Sequence, residues 1–148
     1  EPIFLIDGQL AVYLQTDSLT WRPGQNYTVY INYLPRDKTE FDLDAVDLLM
    51  KFDSEYLKVE RIMPGMVWSH SLILQQKINS GSFSFSVGRK PEATSTGSKI
   101  LAVVNFKALQ ASDEPLTLQI SQHSKFVDKN SRQLNFVPVP LKISLSGN

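Results

Sequence analysis

The sequence predicts an all-β sandwich or jelly roll of about nine short strands. Apolar and polar residues alternate with a period of two along most of the chain, which is the pattern of strands with one buried face. Turn-forming residues separate these segments at short intervals, and a helical period of about 3.6 residues is absent. Short strands joined by regular turns favour a sandwich over a parallel sheet.

The predicted strands are defined by apolar residues at every second position, as in Phe83, Phe85 and Val87, which alternate with serines. Tyrosine, phenylalanine, valine and isoleucine dominate these segments, as expected for half-buried pleated surfaces. In chain order the predicted strands are Leu10–Leu14, Tyr27–Leu34, Ala45–Phe52, Leu57–Arg61, Ile73–Ile78, Ser82–Val87, Ile100–Ala108, Leu116–Ile120 and Leu141–Leu145. Turns are expected at Arg22–Gln25, Pro35–Lys38, Pro64–Gly65, Asn79–Gly81 and Asp128–Asn130.

Two further local features modify this pattern. Pro138 and Pro140 cannot donate hydrogen bonds to a sheet, so the last strand should begin at an edge or contain a bulge. The best helical candidate is a single turn over Asp53–Tyr56. The inward phase of the strands predicts a buried core that includes Val46, Leu48, Met50, Phe83, Phe85, Val104, Phe106, Leu118 and Ile143.

The composition is that of a globular protein, with 42% hydrophobic and 20% charged residues in a chain of 148. We expect residues 1–148 to form a single domain with its core over about 10–145. The chain begins at Glu1 without a methionine or a signal peptide, so we expect a segment excised from a larger extracellular protein.

Charge and cysteine content exclude several classes of function. The 15 basic and 15 acidic side chains cancel, which argues against a nucleic-acid partner. No stretch approaches 18 apolar residues, so membrane insertion is not expected. Because the chain has no cysteine, disulfides, thiolate metal sites and cysteine nucleophiles are excluded.

The sequence contains no convincing catalytic constellation. His70 lies between two serines, but no glycine elbow surrounds it, and His123 lies in a polar stretch; both are interpreted as loop histidines with structural roles. No P-loop or dinucleotide fingerprint occurs. We therefore expect a protein that is not an enzyme.

Several carboxylates cluster in one region of the sequence. Period two places Asp44 on the opposite face of its strand from Asp47, which argues against a catalytic pair. Solvated acids are the simplest interpretation, and a calcium site is the second, although the spacing matches no EF-hand loop. We expect no cofactor, with calcium as the alternative. The acids concerned are Glu40, Asp42, Asp44, Asp47 and Asp53.

Two surfaces are candidates for binding. Ala45, Asp47, Leu49 and Lys51 share the outward phase of one strand, and this mixed face is either ordinary surface or the centre of a protein-binding patch. A carbohydrate site would need exposed aromatic rings, and only Trp21 and Trp68, which lie next to turns, are plausible. Both tryptophans would otherwise cap the core.

The order of several motifs resembles the cohesin family. The first motif is a strand that ends in an aromatic-Asp turn followed by Leu-x-Val. It is followed by a Pro-Gly step, a Gly-x-Phe-x-Phe strand, a Leu-Ala-x-Val-x-Phe-Lys-Ala strand and an Asp-x-x-Gly-like turn. In that last turn Asn130 or Ser131 replaces glycine. These motifs lie at Leu43–Val59, Ile62–Gly65, Gly81–Phe85, Gly97–Ala108 and Phe126–Asn130.

The resemblance implies a nine-stranded jelly-roll sandwich without catalytic activity. Cohesins bind dockerin modules, which are small calcium-loaded helical domains, and so assemble enzymes on scaffolds or attach proteins to cell surfaces. The resemblance thus implies a dockerin-type partner and a secreted or cell-surface location. A carbohydrate-binding module that takes polysaccharide, and a structural spacer of an adhesin, stay open as alternatives.

The expected dockerin face matches the family pattern only in part. Family members present an Asn-x-Asp pair outward from the strand that ends in aromatic-Asp. Here Asp47 occupies the aspartate position, whereas Ala45 occupies the asparagine position. The resemblance therefore implies a divergent member, with Ala45, Asp47, Leu49 and Lys51 as the candidate contacts.

Overall fold

The computed structural model describes residues 9–35 and 43–147, and all regular elements in that part of the chain are β-strands. They are β1 (Gln9–Thr16), β2 (Thr20–Trp21), β3 (Asn26–Pro35), β4 (Leu43–Lys51), β5 (Leu57–Pro64), β6 (Ser71–Asn79), β7 (Ser82–Arg89), β8 (Ile100–Ala108), β9 (Leu116–Leu118), β10 (Lys125–Asp128), β11 (Asn135–Val139) and β12 (Leu141–Leu145).

Two large sheets and one small sheet build the sandwich. The larger has the order β11-β1-β3-β8-β5, and the four-stranded sheet has the order β10-β4-β7-β6. A three-stranded sheet, β2-β12-β9, completes the structure. Neighbouring strands are antiparallel except for the pairs β1–β11 and β2–β12. The predicted all-β sandwich is therefore confirmed.

All the strands predicted from the sequence are present, and the structure adds three short ones. β2 has two residues and β10 has four, which is too short for alternation to be recognised. β11 contains Pro138, a residue that weakens any prediction of a strand.

The prolines act as expected. β11 lies at the edge of the five-stranded sheet, where a missing N–H can face away from the ladder. Pro140 falls in the break between β11 and β12, and this break passes the chain from one sheet to the next.

The core lies between the inner faces of the two large sheets. Every residue predicted to be buried is at most 2% exposed. An aromatic cluster fills one region of this core: the ring of Trp21 stacks on Tyr27 at 4.7 Å, and the ring of Phe106 lies 5.9 Å from Trp21 and 5.6 Å from Phe52. Such clusters bury large apolar areas and hold the two sheets in one arrangement.

The predicted helical turn at Asp53–Tyr56 is a tight hydrogen-bonded turn between β4 and β5. The Asp53 carbonyl accepts from the N–H groups of Tyr56 and Leu57, at 3.1 and 3.0 Å, and its carboxylate accepts from the Glu55 N–H at 3.0 Å. An aspartate that bonds to the backbone two residues on is typical of such turns. The turn leads the chain from one sheet into the other.

Candidate functional site

β4 occupies an inner position in the four-stranded sheet, paired with β10 on one side and β7 on the other. Its inward residues, Val46, Leu48 and Met50, are buried in the core. Successive side chains of a strand point to opposite faces, so the intervening residues face away from the core. The face that includes them is called here the outer face of the sheet.

The outer face brings together the four residues that the sequence singled out. Ala45, Asp47 and Leu49 are half-buried among neighbouring strands, and Lys51 is exposed. The register places other outward residues beside them. β10 contributes Lys125 and Val127, β7 contributes Ser82, Ser84, Ser86 and Gly88, and β6 contributes Leu72, Gln75, Lys77 and Asn79.

Asp47 is held in place by its neighbour across the ladder. The hydroxyl of Ser86 donates a hydrogen bond of 2.7 Å to Oδ1 of Asp47. Lys125 is its partner on the other side in the register of β10 and β4. A carboxylate can accept several hydrogen bonds, so Asp47 keeps acceptor capacity for a partner while its orientation is restrained.

The backbone of β4 is secured next to Leu49. The Leu49 N–H donates to the hydroxyl of Ser124 at 2.9 Å, and the Leu49 carbonyl accepts from the Ser121 N–H at 2.8 Å. These bonds bind the loop before β10 to the edge of β4. The side chain of Leu49 is thus presented from a fixed backbone, which lowers the entropic cost of binding.

The hairpin turn after β10 is built around a buried carboxylate. The N–H groups of Asn130 and Arg132 each donate to Oδ1 of Asp128 at 2.9 Å, and the Arg132 guanidinium donates to Oδ2 at 3.0 Å. The Arg132 N–H and the other donors hold the pKa of Asp128 below its usual value, although burial opposes them. Ser131 has φ of 63° and so takes the position where the cohesin pattern has glycine.

The carbohydrate platform suggested for Trp21 and Trp68 is wrong for both residues. Trp21 is 0% and Trp68 is 3% exposed, so neither ring offers a face to a sugar. The indole N–H of Trp21 donates to the Ser18 carbonyl, and that of Trp68 to the Leu43 carbonyl, each at 2.9 Å. The alternative interpretation, in which both tryptophans cap the core, agrees with this burial, and each indole N–H is satisfied by a backbone carbonyl.

The described carboxylates of the acidic region lie apart and have different partners. Asp44 pairs with the guanidinium of Arg89 at 2.7 Å, Asp47 with Ser86, and Asp53 with its own turn. Glu40 and Asp42 lie outside the described residues. Within residues 9–35 and 43–147, no group of three or more histidine, aspartate and glutamate side chains is arranged to hold a metal ion.

The two histidines lie in exposed positions at different places in the fold. His70 precedes β6, and its carbonyl accepts from the Lys90 N–H at 3.2 Å. His123 lies in the loop before β10, where its N–H donates to the Ser121 hydroxyl at 3.1 Å. Both are contacts of the histidine backbone within loops, and in neither does the imidazole hold a nucleophile as a general base would.

Solved structures with the same architecture decide the fold. A cohesin module of a family 33 glycoside hydrolase from Clostridium perfringens has a TM-score of 0.71 at 10% identity, covering 93% of this chain and 98% of that module. A type II cohesin domain from the Acetivibrio cellulolyticus cellulosome has a TM-score of 0.66 at 18% identity, covering 91% of this chain and 95% of that domain. The match to a cohesin–dockerin complex from Clostridium thermocellum has a TM-score of 0.68 at 13% identity, and it covers 99% of this chain and 100% of the matched chain.

The fold is cohesin-like. Identities of this size concern the fold alone, and neither a family model nor a curated protein sequence matches the chain. The cohesin-like fold nevertheless confirms the resemblance that the order of motifs indicated, since the likeness extends over nearly the whole chain. The described residues also contain no apolar helix of membrane-spanning length.

Sequence reasoning missed most of the residues that surround β4 in the cohesin-like fold. The serines of β7 were recognised as the polar phase of a strand, but their position next to β4 depends on pairing that one sequence does not show. Lys125 lies in a segment that was not predicted as a strand. The only signal available for β6 was its run of aliphatic residues, and these are exposed at Leu72, Ile73 and Leu74.

Proposed function

We propose that this cohesin-like chain is a non-catalytic module that binds a dockerin-type protein through the outer face of the four-stranded sheet. Its place would be a secreted or cell-surface protein, where it assembles or attaches other proteins. The observation that carries the proposal is the row of Ala45, Asp47, Leu49 and Lys51 on β4, which faces away from the core of a fold shared with dockerin-bound cohesins.

The outer face has the composition of a recognition surface. Leu49 supplies an apolar centre, and Asp47, whose orientation is restrained, supplies a hydrogen-bond acceptor. Binding energy usually concentrates in a few central residues surrounded by polar contacts. Ala45 replaces the asparagine of the family pattern, so the polar contact that this asparagine would make is missing. The partner should therefore lack the polar group that would bind an asparagine at this position.

The exposed aliphatic residues of β6 extend the surface beyond β4. Leu72 and Leu74 are 47% and 59% exposed, and Leu74 approaches the outer side of Gly88. Exposed apolar side chains grouped in this way commonly mark a protein-binding site. This grouping favours a protein partner over polysaccharide, whose binding would need the aromatic platform that the buried tryptophans do not supply.

The experiment is a calorimetric titration of the chain against dockerin modules from the same organism, with calcium present. We expect at least one dockerin to bind, and Asp47→Ala to weaken that binding by about 1–3 kcal/mol because a carboxylate acceptor is lost. Asp113→Ala, which removes an equal charge from an exposed loop residue, is the matched control and should leave affinity unchanged.

Two results would contradict the proposal. If no dockerin binds and the chain is retained by insoluble polysaccharide, the module is a carbohydrate binder. If a dockerin binds and Asp47→Ala weakens it no more than the control does, the carboxylate of Asp47 is not part of the interface.

A further inference from the structure

β6 is exposed along its whole length. It lies at the edge of the four-stranded sheet, and in the part of the chain that the structure describes β7 is the one strand paired with it. Every residue from Ser71 to Asn79 is exposed or half-buried. The edge of a sheet presents unpaired N–H and C=O groups, which can pair with a further strand.

Two isoleucines of β6 lie on the inner side of the sheet and are still exposed. Ile73 pairs with Val87, and Ile78 pairs with Phe83, so both point to the same side as buried residues of β7. Their side chains are nevertheless 46% and 37% exposed. A cavity of about 340 Å³ is lined by Ile78 and by residues of β5, so the sandwich is open on this side. A partner on the outer face would leave both isoleucines uncovered.

Two features of β6 restrict what can pair with its edge. The register with β7 shifts between Ile73 and Gln75, so Leu74 is the extra residue of a bulge. Lys77 supplies the single charge of the strand. Bulges and lysines on an edge strand commonly prevent pairing with an unrelated strand. The best partner therefore has an irregularity at the matching position and no cation opposite Lys77.

A second copy of β6 meets both conditions in one antiparallel register. With a two-fold axis at Gln76, each Ile73 lies opposite Ile78 of the second copy, because the bulge adds one residue between Ile73 and the axis. Each Lys77 then lies opposite the bulge of the second copy and not opposite its lysine. All side chains stay on their own face of the sheet, and opposed β-branched residues stabilise strand pairs.

We propose that two copies of this chain pair through the free edges of β6, antiparallel, with the two-fold axis at Gln76. The two four-stranded sheets join into one continuous sheet, and the isoleucines of both copies cover one another on its inner side. The formal net charge of zero adds no overall repulsion between the copies. The contact is smaller than the roughly 1,200 Å² of stable interfaces, so the dimer forms at high protein concentration and exchanges rapidly. This inference goes beyond the proposed function, because it involves neither β4 nor a dockerin.

Cysteine crosslinking tests the register, and a chain without cysteine makes each introduced thiol unique. Gln76→Cys places two thiols opposite each other at the axis. The Cα atoms of residues opposed in antiparallel strands lie about 4.5–5.5 Å apart, which a disulfide can bridge. With oxidised glutathione as the oxidant, we expect a covalent dimer at least about tenfold faster than for Lys142→Cys, because pairing raises the effective thiol concentration. Lys142 is an exposed residue of β12 and supplies the matched control.

A mixture of two variants provides a second test of the register. Ile73→Cys alone and Ile78→Cys alone should crosslink as slowly as the control, because equivalent residues of the two copies lie on opposite sides of the axis. When the two variants are mixed, each thiol faces the thiol of the other variant. We therefore expect a disulfide that joins the two different variants, which mass spectrometry identifies.

Sedimentation velocity over a series of concentrations measures the association itself. We expect the dimer fraction of the wild type to rise with concentration. Ile73→Lys should stay monomeric, because its ammonium group would lie against Ile78 of the second copy. Leu34→Lys makes the same change in charge at an exposed position of the opposite sheet and should dimerise as the wild type does.

Two results would overturn the pairing of β6. One is a wild type that stays monomeric up to about 1 mM. The other is Gln76→Cys that crosslinks no faster than Lys142→Cys, which would mean that any contact between copies lies elsewhere. Dockerin binding enters neither measurement, so this inference and the proposed function can each fail while the other holds.

Discussion

Phe106→Ala is expected to lower the free energy of unfolding by about 3–5 kcal/mol, the usual loss for a buried aromatic side chain. Phe106 is 0% exposed, and its ring contacts Trp21 and Phe52. Its truncation leaves a cavity between the two sheets and removes two aromatic contacts from the cluster. Denaturant unfolding of the wild type and the variant measures the difference.

Leu34→Ala is the control for this truncation. Leu34 also lies on a strand of the five-stranded sheet, but it is 54% exposed on the outside of the sandwich. Its truncation should cost less than about 1 kcal/mol. A loss below about 1 kcal/mol for Phe106→Ala as well would show that the inward phase of β8 is wrongly assigned.

Gly65→Ala is expected to destabilise the chain by about 1–3 kcal/mol, although it adds only one methyl group. A Cβ atom at Gly65 would lie 2.1 Å from the carbonyl oxygen of Ile100 and 2.5 Å from its carbon. Both atoms belong to the backbone of β8, and the Gly65 N–H donates to Leu101 at 2.9 Å, so neither strand can move away cheaply. Thermal or denaturant unfolding measures the loss.

The matched control is Gly88→Ala. A Cβ atom at Gly88 would meet its nearest neighbours, Leu74 and Asp44, at 3.5 and 3.6 Å, which is ordinary van der Waals contact. Alanine there should therefore be neutral or stabilise by up to about 1 kcal/mol, because glycine loses more entropy on folding. If both variants were neutral, the close approach of Gly65 to β8 would not exist in solution.

The strands and the core could be predicted because the alternation of apolar and polar residues shows, within a single strand, which face is buried. Phe83 and Phe85 sit between serines, and a period of two assigns their face without any knowledge of pairing. The same rule placed Asp47 and Leu49 on the outward phase of β4. The candidate row on β4 could therefore be identified from the sequence alone.

The surroundings of that row could not be predicted, because they depend on contacts between distant parts of the chain. Lys125 lies opposite Asp47 because β10 pairs with β4, and the Ser86 hydroxyl donates to Asp47 from β7. For Trp68 the sequence left an exposed ring and a cap over the core as alternatives, and the long-range contact of its N–H with the Leu43 carbonyl accompanies burial of the ring. Neither long-range pairing nor loop closure has a local sequence signal.

The central claim is that the outer face of the four-stranded sheet binds a dockerin-type partner, and the most direct measurement compares Leu49→Glu with Leu34→Glu. Both variants place a carboxylate at a leucine outside the core, the first on β4 and the second on the opposite sheet. Both should keep the unfolding free energy within about 1 kcal/mol of the wild type.

Calorimetric titration of both variants with a dockerin module from the same organism, with calcium present, then tests whether this face is the binding site. We expect Leu49→Glu to weaken binding at least about 100-fold, because a charge would be buried without a partner at the centre of the interface. Leu34→Glu should bind as the wild type does. Equal binding by both variants, or loss of binding in Leu34→Glu alone, would contradict the claim that this face is the binding site.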